Sequence, residues 1–136
     1  MTRVLGVDLG TVRVGLALSD ADGVVAQPFD VIERQDAAFE ITRRAGQLEV
    51  GEIVVGIPYS LDGTLGAAAE SAEAFAHALE LSTGLPVSRW DERLSTVQAE
   101  RAMRAGGKRA KKQRGHVDKV AAALVLQSFL DSRRRT

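Results

Sequence analysis

The opening stretch of the chain alternates short apolar runs with glycine turns. Residues 4–7 have the length and branched content of a buried strand, and the run ends at an acid, Asp8. Gly10 and Gly15 bracket a second apolar run, which starts too soon for a crossover helix to intervene. The two runs are therefore predicted to pair as an antiparallel hairpin, with Asp8 at the end of a central strand.

Further along the chain, helical and strand-like patterns alternate. A turn at residues 20–23 leads to a third antiparallel strand, which we expect to end before Pro28. The remaining predicted elements are a helix over 36–48, a strand over 53–55, a helix over 65–82, a strand over 86–90, and helices over 97–105 and 116–130. Residues 108–115 are basic, flanked by glycine and without an apolar period, which predicts a mobile loop.

This order of elements predicts an α/β fold. Single strands between helices indicate parallel additions to the sheet, so we expect a five-stranded mixed sheet: three antiparallel strands and then two parallel ones, with helices on both faces. The length suffices for one core, and residues 1–136 are expected to form a single domain. The ends of the first strand and of the later parallel strands then share the sheet edge where open α/β sheets bind ligands.

Composition narrows the chemistry that is available. The chain has no cysteine, which excludes disulfides, a thiolate nucleophile and cysteine-bound zinc, and its two histidines lie far apart. No apolar stretch is long enough to span a bilayer, and residues 1–3 run directly into a strand without a signal peptide, so we expect no membrane association and a cytoplasmic location. The net charge is zero and by itself gives no argument for a nucleic-acid partner.

Basic residues are nevertheless concentrated late in the chain. Residues 101–114 contain no acid, and three arginines follow at 133–135. Such runs are more often solvated surface than binding sites, so their neighbours decide the interpretation. The basic residues of the first run are Arg101, Arg104, Lys108, Arg109, Lys111, Lys112 and Arg114.

Three acids are predicted to meet at the sheet edge. Asp8 ends the first strand beside a glycine turn, where backbone amides can approach an anion. Glu92 follows the strand over residues 86–90. Asp118, in the predicted first turn of the last helix, shares that helix's apolar stripe and therefore points toward the sheet.

Each acid also has an ordinary structural explanation. Asp8 can start an Asx-type turn, and Glu92 can pair at the surface with Arg89 or Arg93. Asp118 can complement the positive end of a helix. Three acids at one edge are harder to explain in this way, because like charges repel unless a cation is bound between them.

Carboxylates without histidine or cysteine suit Mg²⁺ or Mn²⁺, which prefer oxygen ligands. Two such ions about 4 Å apart would activate a water and stabilise the departing oxygen of a phosphodiester. The sequence shows no Ser-His pair, no P-loop and no GxGxxG in the required context.

Four sequence blocks extend this picture: 6–17 (GVDLGTVRVGLA), 55–58 (VGIP) with Asp62-Gly63, 91–96 (DERLST) and 117–122 (VDKVAA). In this order they resemble the YqgF/RuvX family of pre-16S ribosomal RNA nucleases, and the third block is the most specific. The resemblance implies an RNase H-like fold akin to RuvC Holliday-junction resolvases, and trimming of the 5′ end of the small-subunit rRNA precursor. It also implies that the family's acidic positions are Asp8, Glu92 and Asp118. The loop after Pro58 departs from relatives, which more often carry Asn before Asp-Gly, and this leaves the loop's substrate contact open.

Our hypothesis from the sequence is a divalent-metal-dependent phosphodiesterase, with precursor rRNA as the favoured substrate and ribosomal or assembly factors as further partners. Asp8 would bridge the metal ions, and Glu92 and Asp118 would complete the site. Arg13 and Arg93 are predicted to contact phosphate, since arginine binds oxyanions in bidentate fashion. The residues predicted to hold the nucleic-acid backbone, in a salt-dependent way, are Lys108, Arg109, Lys111, Lys112 and Arg114.

Three other functions are compatible with the same residues. A four-way DNA junction resolvase would use the same site but needs paired active sites, so the choice of monomer or homodimer bears on it. The Asp-x-Gly-Thr turn also resembles the phosphate-binding turn of actin-like ATPases and sugar kinases, which need a second lobe that this length does not provide. In a non-catalytic RNA-binding ribosome-assembly module the acids would serve only fold and solubility, and metal would leave the melting temperature unchanged.

Overall fold

The computed structural model describes residues 2–97 and 110–134 and contains a five-stranded sheet. The strands are β1 (Arg3–Leu9), β2 (Arg13–Ser19), β3 (Ala26–Glu33), β4 (Val50–Ile57) and β5 (Val87–Asp91). Their order is β3-β2-β1-β4-β5, with β1, β2 and β3 antiparallel and β4 and β5 added in parallel. The mixed sheet predicted from the sequence is confirmed, and β1 is its central strand.

Helices cover both faces of this sheet, as predicted. They are α1 (Ala37–Gln47), α2 (Ala67–Thr83) and α3 (Ala110–Arg134). Side chains of β1 alternate between two cores: Leu5 and Val7 pack with α1 and α2, whereas Val4 packs with α3. Asp8 therefore lies on the α3 face. Within the described ranges, no helix has the length and apolar character needed to cross a membrane.

The end of α2 follows from local backbone chemistry. Gly84 adopts a left-handed conformation at φ 71°, and its amide donates to the carbonyl of Glu80 at 3.0 Å. Glycine takes this conformation without the steric cost of a Cβ atom. The prediction that Gly84 ends this helix is confirmed, although α2 begins at Ala67, two residues later than expected.

The prediction that the third strand ends before Pro28 is wrong. β3 continues through Pro28 to Glu33, and the β2 register shifts between Leu16 and Ala17. β3 is an edge strand, so one side of its backbone has no ladder to join. A proline, which lacks the backbone N–H, is tolerated at such a position.

The loop predicted over residues 108–115 is also wrong where the structure describes it. α3 begins at Ala110, so residues 110–115 are helical. Lys, Arg, Gln and Ala are good helix formers, and they extend a helix whose later turns are packed on the sheet. Residues 108–109, and residues 98–105 of the predicted preceding helix, lie outside the described ranges.

This earlier start changes the position of Asp118 in the helix. Asp118 lies in the third turn of α3, not in the first. The favourable effect of a helix N-terminus on a negative charge fades within the first turn. Complementing the helix end therefore no longer explains an acid at this position.

Candidate active site

Asp8 lies between two glycines of neighbouring strands. It pairs with Gly15 of β2, and the parallel pair Val7–Val55 places Gly56 of β4 beside it on the other side. Asp8 is only 2% exposed. The row Gly15, Asp8, Gly56 therefore runs across three strands on the α3 face, with a buried carboxylate at its centre.

Gly15 allows α3 to lie directly on the sheet. A Cβ atom at this position would lie 2.0 Å from the carbonyl oxygen of Asp118. Gly6 has the same role on β1, where a Cβ atom would lie 2.8 Å from Cβ of Leu126. These two contacts set the path of α3 and bring the backbone of Asp118 against the strand partner of Asp8.

Glu92 reaches the same row from the other side. It begins a short 3₁₀ turn, Glu92–Leu94, directly after β5, and it is 1% exposed. A Cβ atom at Gly56 would lie 2.8 Å from Glu92 Oε1, so the Glu92 side chain covers this glycine. The Ser95 hydroxyl and amide both donate to the Glu92 carbonyl, at 2.9 and 3.1 Å, which holds the turn in place.

Asp118 forms an ion pair with Arg13. The Arg13 Nε donates to Asp118 Oδ2 at 3.2 Å, and the two side chains are 34% and 27% exposed. The pair borders a cavity of about 410 Å³ that is lined by Gly10, Thr11, Val12, Arg13 and Asp118. Arg13 thus lies at the mouth of the site, where its predicted contact with phosphate remains a prediction.

Arg93 connects the end of β5 to the loop that follows β4. Its Nε donates to Asp91 Oδ1 at 3.1 Å and its Nη2 to Asp91 Oδ2 at 2.7 Å. The guanidinium also lies over the Tyr59 ring, 5.6 Å from its centroid. Hydrogen bonding from Arg93 lowers the pKa of Asp91, and the same bonds raise the pKa of Arg93. Much of the bidentate capacity of Arg93 is therefore used within the protein, and its predicted contact with phosphate also remains untested.

The basic cluster predicted to hold nucleic acid is described only in part. Lys108 and Arg109 lie outside the described residues. The backbone at positions 111, 112 and 114 belongs to α3, but the side chains of Lys111, Lys112 and Arg114 lie outside the description. Position 114 precedes Asp118 by about one helical turn. The cluster therefore stays a prediction.

The donor chemistry of the site fits a hard divalent cation, since Asp8, Glu92 and Asp118 offer only oxygen ligands. Asp8 and Glu92 are the buried acids of the described residues, and each lies beside Gly56. In residues 2–97 and 110–134, however, no group of three or more His, Cys, Asp or Glu side chains is arranged to hold a metal ion. The structure therefore places Asp8 and Glu92 beside Gly56, whereas the Asp118 carboxylate is engaged by Arg13.

Sequence reasoning missed the role of Gly15 and Gly56. It treated both glycines as boundaries of apolar runs, whereas each makes room for one acid of the site. The available signal was a glycine inside an apolar strand, which often marks close approach of another chain segment.

The fold is RNase H-like, and solved structures of RuvC share it. RuvC of T. thermophilus in complex with a Holliday junction substrate has a TM-score of 0.57 and 17% sequence identity, with 97% of this chain and 96% of that chain covered. A second T. thermophilus RuvC structure has a TM-score of 0.51 and 19% identity, over 98% and 97% of the two chains. At these identities the likeness concerns the fold alone.

Curated relatives found by sequence have a much higher identity to this chain than the RuvC structures do. Relatives from three organisms illustrate this, and each carries the name "Putative pre-16S rRNA nuclease". The one from Geobacillus thermodenitrificans is 47% identical over 97% of this chain and 99% of its own length. Those from Anaeromyxobacter sp. and Lachnospira eligens are 46% and 40% identical, over 96% and 98% of this chain and 98% and 99% of their own lengths. The family model described as "RuvX: Holliday junction resolvase" matches residues 2–132, and the chain therefore belongs to the RuvX family.

Proposed function

We propose that this protein is a divalent-metal-dependent nuclease that hydrolyses phosphodiester bonds of RNA, and that it processes the 5′ end of the small-subunit rRNA precursor. The observation that carries the proposal is the row Gly15, Asp8, Gly56, which has Asp118 on one side and Glu92 on the other. The name shared by the curated relatives supports the choice of substrate.

Burial supports a cation at this place. Asp8 and Glu92 are almost completely buried, and both lie beside Gly56. Moving a carboxylate out of water is costly, and two carboxylates side by side repel each other. A bound cation offsets both costs, whereas a site selected only for stability is better served by apolar side chains.

The mechanism follows from what the side chains hold in place. Asp8, on a central strand, and Glu92, in a braced turn, would hold Mg²⁺ or Mn²⁺ together with Asp118. When bound, such ions supply Lewis-acid stabilisation of phosphoryl oxygens and an activated water. Arg13, at the solvent border, would orient a backbone phosphate through its planar guanidinium. The strand that carries Asp8, the braced turn that carries Glu92 and the packed helix that carries Asp118 would keep the acids in position, so little backbone reorganisation is needed during the reaction.

A cleavage assay tests this function. The purified protein is incubated with Mg²⁺ or Mn²⁺ and a precursor small-subunit RNA, and wild type is compared with Asp8→Asn. We expect metal-dependent cleavage that the substitution reduces by about 100-fold or more, the equivalent of about 2.7 kcal/mol of lost transition-state stabilisation. The matched control is Asp22→Asn, which removes an exposed carboxylate from the turn after β2 and should leave activity unchanged.

A four-way DNA junction in the same assay tests the second candidate. The family model is described as a Holliday junction resolvase, and a structural neighbour is RuvC with a Holliday junction. Cleavage of the junction alone would favour that function. If neither substrate is cleaved and metal does not raise the melting temperature, a non-catalytic RNA-binding module is favoured. A metal ion that binds only the folded state must stabilise it.

A further inference from the structure

The ion pair between Arg13 and Asp118 joins two residues to which the proposed function assigns different ligands. Asp118 would bind a cation, and Arg13 would bind a phosphate. In the structure the two residues bind each other instead, and Arg13 Nε donates to Asp118 Oδ2 at 3.2 Å. The Arg13 and Asp118 side chains are 34% and 27% exposed, so solvent and substrate reach the pair.

The backbone on both sides of the pair is held firmly. The carbonyl of Asp118 lies against Gly15, where even a Cβ atom would not fit. Arg13 pairs with Glu33 of β3, and its carbonyl accepts from Gly10 at 2.9 Å. Arg34 in turn donates to the Gly10 carbonyl at 2.9 Å. A change of partner at this pair therefore involves the side chains and leaves the helix and strands in place.

We propose that Arg13 exchanges the Asp118 carboxylate for a phosphate of the nucleic acid, and that this exchange releases Asp118 to complete the cation site. The inference rests on the proposed function. Guanidinium binds carboxylate and phosphate through the same planar donors, so one replaces the other without a new geometry. Partly exposed ion pairs contribute little to stability, so little opposes the exchange.

Two features of the described residues support this inference. The described residues contain no group of three or more potential ligands arranged for a metal ion, although Asp118 and Glu92 flank the row that holds Asp8. The cavity of about 410 Å³ beside the pair, lined by the Gly10 to Arg13 turn and Asp118, provides room for a phosphate. Cation binding and nucleic-acid binding are then coupled, and each strengthens the other by the same factor.

The first test measures Mn²⁺ binding by the protein alone, through the electron paramagnetic resonance signal of free Mn²⁺. If Arg13 competes with the ion for Asp118, Arg13→Gln raises Mn²⁺ affinity by about 5-fold or more. Arg13→Lys, which keeps the charge but not the planar fork, should fall between Arg13→Gln and wild type. Arg43→Gln removes an exposed arginine of α1 as the matched control and should have no effect.

A double-mutant cycle shows whether Arg13 acts through Asp118. In an Asp118→Asn background, Arg13→Gln should no longer raise Mn²⁺ affinity. An increase that persists there would reflect only the lost positive charge and would overturn the exchange, as would equal affinity of wild type and Arg13→Gln. Circular dichroism confirms that each variant is folded.

The second test adds a short single-stranded RNA, kept intact as judged by gel electrophoresis. The RNA should raise the Mn²⁺ affinity of wild type by about 5-fold or more and that of Arg13→Gln much less. Equal enhancement in both proteins would overturn the exchange. If wild type binds no Mn²⁺ with or without RNA, the proposed metal-dependent function fails, and this result is distinct from failure of the exchange alone.

Discussion

Replacing Gly15 with alanine probes the contact that brings α3 to the site. The added Cβ would lie 2.0 Å from the Asp118 carbonyl oxygen and 2.4 Å from its carbonyl carbon, whereas ordinary van der Waals contact begins at 3.4 Å. The obstacle is backbone, so the helix itself must move by about 1.4 Å to restore that contact. Overpacking of a core typically costs about 1–3 kcal/mol, and a backbone obstacle places Gly15→Ala at the upper end of that range, about 3 kcal/mol.

Urea unfolding followed by circular dichroism measures this loss. The matched control is Gly46→Ala in α1, where a Cβ would meet nothing within 4 Å. Alanine is the better helix former, so this control should be neutral or stabilising by up to about 1 kcal/mol. Gly15→Ala should also weaken Mn²⁺ binding, because Asp118 moves with the helix. Wild-type stability of Gly15→Ala would refute the close approach of α3 to β2.

Two further predictions concern the site's surroundings. Asp91→Asn removes the carboxylate that binds Arg93. Because the folded pKa of Asp91 is lowered, its stabilising contribution is present above the unfolded pKa and is lost as pH falls through the folded value. Urea unfolding should therefore show a deficit for Asp91→Asn at pH 7 that shrinks toward pH 3, and a deficit that is constant with pH would contradict this. For the basic cluster, neutralising the predicted residues should weaken RNA binding and flatten its salt dependence by about 0.7 in logarithmic slope for each lost phosphate contact, whereas an unchanged slope in fluorescence anisotropy titrations would remove their role. These residues are Lys108, Arg109, Lys111, Lys112 and Arg114.

The elements that were predicted correctly depend on local patterns. The hairpin of β1 and β2 follows from two apolar runs joined by a short glycine turn, and the end of α2 follows from Gly84. The two wrong predictions, the end of the third strand before Pro28 and the loop over residues 108–115, concern segments whose structure depends on neighbouring elements. Pro28 is tolerated because β3 lies at the edge of the sheet. The first turns of α3 are helical because they extend a helix whose later turns pack on the sheet. Neither fact is visible in the residues themselves.

The sequence by itself determined the kinds of residue at the candidate site and the elements that carry them. It contains the acids at positions 8, 92 and 118, no cysteine, and the strand pattern that puts Asp8 at the end of β1. Only the tertiary structure decided that Gly15 and Gly56 leave room on either side of Asp8, and that Asp118 pairs with Arg13. Arg13 and Asp118 are 105 residues apart in the chain. No local periodicity encodes a contact across that separation, because it depends on how closely a helix packs on a sheet.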